Sequence, residues 1–395
     1  MSMKIVQINH VCGKGSTGKI CVGISRVLTN NDVENYIIYF SGHSDYPYSK
    51  KISRKWYIKF QAFKSHLFGN YGFNSAFATH KVIKLLRQIK PDIVHIHNVH
   101  GHDINICSLF YFLSKTNIKI VYTFHDCWSF TGYCPHFLMT GCKKWQSVCE
   151  KCPQFRDYSW IFDRSRSNYL KKRNAFNSVK MTIVTPSKWL SKVVKSSFLN
   201  SFPILVINNG IDLTIFKPRA SSFRQKNHLE KQFVLLGVAD NWGIRKGVDV
   251  FVELSKRLPN YFSIVLVGTS HSTDKFLPKN ILSIHKTNNQ KELAEIYSSA
   301  DLFVNPTRED NYPTVNMEAI ACGTPVITFN VGGSSEMIDD KCGVLVDLDD
   351  VDSLEKEILN IYRLHTIDRD YCVNKSKEFD MNNRFADYYE LYKSL

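Results

Sequence analysis

The residues best suited to chemistry crowd between Asn305 and Ile327, where Asn305-Pro306-Thr307-Arg308-Glu309-Asp310-Asn311-Tyr312-Pro313-Thr314 runs into Val315-Asn316-Met317-Glu318-Ala319-Ile320-Ala321-Cys322-Gly323. An apolar strand ends in a loop carrying carboxylates, a helix is expected to open near Pro313, and Gly323 closes it ahead of the next strand. Asn311, Tyr312, Pro313 and Thr314 lead into that helix, whose first amides can hold a phosphate or a sugar oxygen. Asp310 and Glu318 are poor phosphate ligands, so hydroxyl recognition is their better use, with Glu318 accepting from a ribose diol. A helical Glu is ordinarily solvated, but the apolar neighbours Met317, Ala319, Ile320 and Ala321 argue against that here.

Three further motifs stand where apolar strands run out, which is where open parallel sheets collect ligands. Arg245-Lys246-Gly247 offers a compact cation for phosphate. Thr123-Phe124-His125-Asp126 places a histidine able to donate to a sugar hydroxyl or phosphate, although a lone histidine is usually a core residue. His10 to Lys19 is glycine-rich, and Gly15 and Gly18 would let amides approach a diphosphate at a helix start. Gly13-x4-Gly18-Lys19 imitates a nucleotide-triphosphate loop, but Ile20 stands where a Ser or Thr would hold Mg²⁺. His95, His97, His100 and His102 have no evident carboxylate or thiol partner nearby and are expected to line a cleft or hydrogen-bond within it rather than bind metal.

Cys134, Cys142, Cys149 and Cys152, with Cys127 and His136 alongside, form a separate cluster that ends in Cys149-x2-Cys152. Four soft ligands can close a tetrahedral structural zinc site; free or redox-labile thiols are the alternative, and no base partner points to a catalytic cysteine.

These residues need a frame. Apolar runs at Lys4–Asn9, Asn35–Phe40, Asp92–His97, Lys119–Phe124, Met181–Thr185 and Ile204–Ile207 alternate with helical stretches. The pattern restarts with Phe233–Ala239, Phe262–Val267, Leu302–Asn305, Pro325–Phe329 and Gly343–Val346. Two doubly wound parallel α/β domains are expected, 1–207 with a Cys-rich insertion near 127–155, and 208–380. A closing helix, 381–395, carries Phe385, Tyr388, Tyr389 and Tyr392 at helical spacing. With 44% apolar and 22% charged residues the chain can build both cores, which excludes disorder and low complexity.

Charge is divided unevenly: residues 1–205 hold 29 Lys and Arg against 9 Asp and Glu, the remainder 22 against 27. The first half should face something anionic. Lys50, Lys51, Arg54, Lys55, Lys59 and Lys64 accompany Trp56, Phe60, Phe63 and Leu67, a basic amphipathic helix over 50–64 suited either to packing on its own domain or to an anionic lipid surface. No apolar run reaches membrane-spanning length and the start lacks a secretory pattern, so a cytoplasmic chain, peripheral on the inner membrane face, is expected.

On the glycine loop around Gly15 and Gly18, Thr123-Phe124-His125, Asn209-Gly210-Ile211-Asp212 with Phe216, Arg245-Lys246-Gly247, the Asp310-x7-Glu318 pair and Ala321-Cys322-Gly323-Thr324-Pro325-Val326, the chain resembles the family-4 retaining glycosyltransferases of GT-B architecture. The branch is the bacterial capsule, O-antigen and colanic-acid type. That resemblance implies two Rossmann-like domains facing a central cleft, the first taking a glycan or lipid-linked acceptor and the second a nucleotide-diphosphate sugar. It implies further that His125 contacts the donor sugar, Lys246 stabilises the leaving diphosphate, Asp310 and the following amides read the sugar, Glu318 holds the ribose and Gly18 borders the diphosphate, with no metal cofactor required. Two departures stand out: Asp310 replaces the family's glutamate, and Asp240 replaces an arginine six residues before Lys246, so the second cation comes from elsewhere, Arg245 being the candidate, or is missing. The rivals are a nucleic-acid-binding protein using the basic half, an NTPase and a sugar-nucleotide epimerase; nucleic acid is not expected as a partner.

Overall fold

Short β-branched and aromatic runs, buried on both faces, make the strands, as parallel sheets covered by helices demand. In this computed structural model, which describes residues 3–364 and 367–395, the chain divides into two units. One comprises Met1–Asn208 with Asn382–Leu395, the other Asn209–Met381.

The first unit contains β1 (Lys4–Val11), β2 (Glu34–Ser41), β3 (Ser49–Lys51), β4 (Ile93–Ile96), β5 (Lys119–Thr123), β6 (Thr182–Thr185) and β7 (Ile204–Val206), ordered β3-β2-β1-β4-β5-β6-β7. The second contains β8 (Phe233–Val238), β9 (Phe262–Val267), β10 (Ile281–Ile284), β11 (Leu302–Asn305), β12 (Val326–Phe329) and β13 (Gly343–Val346), ordered β10-β9-β8-β11-β12-β13. All pairings between these strands are parallel. Strand order therefore reverses between β1 and β4 and again between β8 and β11, and such reversals open a crevice beyond the strands' carboxyl ends.

Two edge strands escape the sequence pattern. β10, Ile-Leu-Ser-Ile, is only partly buried, and β3 is Ser-Lys-Lys, held because Ile37 N–H donates to Tyr48 and Ile52 N–H to Tyr39. Its formation corrects the expected basic helix. Lys50 and Lys51 belong to β3, and the helix runs Lys55–Phe68 with Arg54 at its N-cap and Gly69 in left-handed backbone ending it. The buried residues of that helix are Gln61 and Ser65, while Trp56, Phe60 and Phe63 are 64%, 53% and 52% exposed.

The closing helix, Met381–Lys393, buries Phe385, Tyr388, Leu391 and Tyr392 on the first unit; Tyr389 stays half-exposed beneath Lys393. Tyr392 Oη lies 2.6 Å from His95 Nδ1, and Tyr388 Oη lies 3.1 Å from Thr123 Oγ1, which itself meets His95 Nε2 at 2.8 Å. Phe385 lies against Gly23 of the helix Gly15–Asn30, where an added Cβ would overlap the ring. Two effects oppose each other in Gly23→Ala: helix propensity gains up to about 1 kcal/mol, while overpacking costs about 1–3 kcal/mol. The clash is expected to win, lowering the thermal midpoint, and Phe385→Leu in the same chain should recover part of the loss in a double-mutant cycle. Simple additivity of the two substitutions would show that this contact does not anchor the helix.

Candidate functional site

At the reversal in the second sheet, β8 gives way to a 3-10 turn, Ile244–Lys246, and the helix Val248–Arg257; β11 gives way to the loop 306–313 and the helix Thr314–Ala321. Lys246 Nζ donates to Asp310 Oδ2 at 2.6 Å, both side chains about one-fifth exposed. The two loops are laced together by Arg245 Nη1 donating to the Glu309 carbonyl at 3.2 Å and Arg308 N–H donating to the Arg245 carbonyl at 2.9 Å. Thr307 Oγ1 adds bonds to the carbonyls of Glu309 and Arg245. The Arg308 guanidinium reaches both oxygens of Asp249 at 2.9 and 2.8 Å and Asp349 at 2.6 Å, a clamp between elements.

Glycines permit this approach. Gly247 (φ 72°) faces the Pro306 carbonyl and Gly332 (φ 60°) the Asp310 carbonyl, which also accepts from Gly333 N–H at 3.1 Å; a Cβ at either glycine would overlap that oxygen. Sequence reasoning missed Gly332 and Gly333, although a Gly-Gly pair just after an apolar run was the available signal.

Glu318 is buried, as its apolar neighbours implied, and accepts from Tyr297 Oη at 3.2 Å. Burial first, then the charge of Glu318, raises the Tyr297 phenol well above its ordinary value, so Tyr297 remains a donor. No side chain caps the start of the helix Thr314–Ala321 and no acidic residue sits in its first turn. Within that helix Asn316 Oδ1 accepts from Asn305 at 2.7 Å, while Asn316 Nδ2 is buried without a partner among the described residues.

In the first unit, Gly13 and Gly15 take left-handed backbone. Gly15 is exposed with open space around it, whereas Gly18 is buried under Gly13 and Cys12, so Gly18 shapes the loop from beneath. Ile20 lies in the core and Lys19 points to solvent, which removes the nucleotide-triphosphate loop as a reading.

His125 follows β5, and its hydrogen bonds set its tautomer. Gln7 Nε2 donates to the Cys21 carbonyl, so Gln7 Oε1 accepts from His97 Nε2 at 3.0 Å. Neutral His97 then accepts at Nδ1 from His125 Nε2 at 3.1 Å, leaving His125 Nδ1 as an acceptor. In its neutral form, which burial favours by lowering its pKa to about 4, His125 would then accept rather than donate at Nδ1. The expectation of no carboxylate near the histidines is corrected: His100 Nε2 lies 2.7 Å from Asp126, and His10 pairs with the fully buried Asp103, whose pKa burial raises to about 6 against the lowering effect of His10. Asp103 was missed because nothing in its local sequence announces the contact. Among the described residues, one trio of His, Cys, Asp or Glu brings its ligand atoms within 4.8 Å of one another: His271, Asp274 and His285, at the surface. Cys134, Cys142, Cys149 and Cys152 share one small cavity instead. Burial raises Cys134 and Cys149 to about 12, which disfavours a nucleophilic role.

Two α/β units with cation, carboxylate and uncapped helix at a strand-order reversal define a nucleotide-type binding fold. Residues 18–215 match the glycosyltransferase family 4 model and 230–363 the glycosyl transferases group 1 model. The chain belongs to glycosyltransferase family 4 and is a glycosyltransferase with the GT-B fold. It is similar to the putative colanic acid biosynthesis glycosyl transferase WcaC of Escherichia coli K12, 23% identical over 384 residues covering 92% of this chain and 90% of that protein. Among solved structures it is similar to sucrose-phosphate synthase from Thermosynechococcus elongatus (TM-score 0.74, 15% identity, covering 99% and 98% of the two chains) and to Anabaena HepE in complex with UDP (TM-score 0.72, 15% identity, 100% of both). These likenesses give no support to the NTPase or nucleic-acid readings.

The buried histidines set an acid limit. His95 and His97 are held well below their ordinary value by burial, and His102 and His125 fall to about 4 for the same leading reason. Unfolded histidine takes its proton near pH 6.5, so the stability these groups contribute is complete above that pH and lost as pH falls toward 4. Each histidine still neutral in the fold adds a slope of about 1.4 kcal/mol per pH unit across that window. Asp103, with its raised value, works in the opposite sense, one group against four. The thermal midpoint is expected to fall steeply between pH 6.5 and 4; a flat profile would contradict the buried network.

Proposed function

We propose that the protein moves a sugar, with retention of anomeric configuration, from a nucleotide-diphosphate sugar to a glycan or lipid-linked glycan acceptor in the assembly of a bacterial surface polysaccharide. The observation that carries this reading is the Lys246–Asp310 pair at the reversal of the second sheet, joined through one loop to the helix bearing buried Glu318. The transition state of such a transfer places growing negative charge on the departing diphosphate. Lys246 and the uncapped amides of the helix Thr314–Ala321 answer that charge. Asp310 keeps Lys246 extended until a donor arrives, then takes a sugar hydroxyl while the ammonium turns to phosphate. Glu318, its second-unit partner Tyr297 already donating, accepts from the ribose. In the first unit, His125 Nδ1 accepts from a sugar hydroxyl. Retention and metal-independence are inferred from the family resemblance.

The donor is tested with a panel of UDP, GDP, ADP and dTDP, the nucleotide that most raises the melting point of the wild type being carried into calorimetry. Lys246→Ala and Glu318→Ala should each weaken its binding at least tenfold, about 1.4 kcal/mol, with the fold retained. Wild-type affinity in both variants would sink the site assignment.

A second observation supports acceptor delivery at an anionic membrane face. Exposed Trp56, Phe60 and Phe63 project from the same helix as Lys55, Lys59 and Lys64, and Phe63 meets the exposed Trp160 at 5.7 Å between ring centres. Among the described residues no helix is long and apolar enough to cross a membrane, so attachment would be interfacial. The chain should co-sediment with vesicles containing phosphatidylglycerol more than with pure phosphatidylcholine, and the triple substitution Trp56→Ala, Phe60→Ala, Phe63→Ala should abolish the difference. Equal partitioning of the wild type to both vesicles rejects the electrostatic attachment.

A further inference from the structure

The insertion between β5 and β6 has little regular structure before the helix Ser165–Phe176: the 3-10 turns Trp128–Phe130 and Lys144–Gln146, and the four-residue helix Phe155–Tyr158. Trp128, Phe130, Phe137 and Trp145 tie it into the first unit's core, and the irregular chain between and beyond them is the kind a metal can staple. Cys134, Cys142, Cys149 and Cys152 come from four points along it and line a single cavity of about 10 Å³, room for roughly one water-sized body. All four are free thiols. Cys134 lies close enough to Cys149 and Cys152, and Cys142 to Cys149 and Cys152, for each to feel the other's charge, as do Cys149 and Cys152. Glu150 also lines the cavity, but its carboxylate is engaged by Arg166 at 2.6 Å.

An independent observation concerns Lys172. Its ammonium is fully buried, donates to the carbonyls of Trp128 at 2.6 Å and Thr131 at 3.1 Å, and sits 3.5 Å over the Trp128 ring. Among the described residues it forms no ion pair with a carboxylate, and the two thiols Cys134 and Cys149 stand first among the groups whose charge it feels. Burial drives Lys172 well toward its neutral amine, opposed by the charges of Cys149, Cys134 and Asp126, so thiolates at Cys134 and Cys149 would favour its ammonium.

We propose that Cys134, Cys142, Cys149 and Cys152 bind one structural zinc ion, with Lys172 as the buried cation that offsets the charge of the resulting centre. Binding exchanges four thiol protons for one Zn²⁺, which gives a tetrathiolate centre of net charge −2 and releases four protons to solvent. Four sulfurs select zinc or iron–sulfur chemistry, and a cavity for one atom fits the single ion rather than a cluster. The sulfurs do not meet the 4.8 Å spacing that the surface trio His271, Asp274 and His285 meets, so the ion must draw them inward to about 2.3 Å from itself. That closure ties the two ends of the insertion together. It is independent of the donor site: the insertion can lose its ion while Lys246 and Glu318 still bind nucleotide.

The test is elemental analysis of the full chain, expressed with zinc in the medium and purified without chelator. About one zinc per chain is expected, unchanged in His271→Ala/His285→Ala and reduced to background in Cys149→Ser/Cys152→Ser. Should the serine variant fail to fold, wild-type protein loaded with Co²⁺ decides: intense sulfur-to-cobalt charge transfer and tetrahedral d–d absorption are expected. A folded, zinc-free wild type, iron with acid-labile sulfide in place of zinc, disulfides among the four cysteines in peptide mapping, metal lost with the His271/His285 substitutions, or a weak octahedral cobalt spectrum would each overturn the proposal.

Discussion

The closeness of two backbones beyond β8 and β11 is the constraint on which the rest of the second unit depends. Helices after these strands leave on opposite faces of the sheet, so a crevice opens at the reversal of strand order. A crevice alone positions nothing. It becomes a site because Gly247 lets its turn press on the Pro306 carbonyl and Gly332 lets the turn after β12 press on the Asp310 carbonyl. Both glycines are left-handed, so a side chain at either would be strained in backbone and in space at once. With the loops held at that distance, a salt bridge of 2.6 Å between Lys246 and Asp310 follows from geometry.

That pair is useful because it is only partly buried. A fully desolvated ion pair resists exchange, since removing one partner leaves an uncompensated charge costing about 3–5 kcal/mol. On the proposed donor reading, Lys246 and Asp310, each about one-fifth exposed, could exchange one another for a phosphate and a hydroxyl with water helping to bridge the change. The first unit follows a different logic. Its strand-end histidines are tied into a neutral chain from Gln7 through His97 to His125, and His95 is consumed by Thr123 and Tyr392. A neutral acceptor suits sugar hydroxyls, and the unit's excess of Lys and Arg lies elsewhere, on β3 and the helix that follows it.

What the sequence displayed was whatever depends on near neighbours. Interior strands were legible because a strand buried on both faces is a continuous apolar run, and Glu318 was legible because Met317, Ala319, Ile320 and Ala321 leave it no polar side. Ser-Lys-Lys in β3 carries no such signal, since a three-residue edge strand is chosen by the hydrogen-bonding groups that β2 leaves open. Lys246 and Asp310 were each marked by their place at a strand end, but their pairing spans 64 residues of chain. His10 with Asp103, and Gly332 under Asp310, are likewise contacts that only tertiary closeness creates. The place of His125 at a strand end was readable but not its tautomer, which is set through His97 by Gln7.

Asp240 raises the question of how a diphosphate is held with a carboxylate where the family resemblance implies a cation. It is exposed just past β8, directly after Ala239, against whose carbonyl the left-handed Gly268 is packed, so it stays at the carboxyl end of the sheet. Exposure weakens its repulsion, because solvent and salt screen such charges within about 10 Å. Two arginines stand close enough in sequence to Lys246 or Asp310 to replace the missing one, and their present bonds separate them. Arg308 would have to release three bonds to Asp249 and Asp349, each charge-assisted and about twice as strong as a neutral bond. Arg245 has one long bond to the Glu309 carbonyl and no carboxylate partner among the described residues, so turning toward phosphate costs it about 1 kcal/mol. On the proposed donor reading, Arg245, adjacent to Lys246 on the same 3-10 turn, is therefore the better-placed second cation.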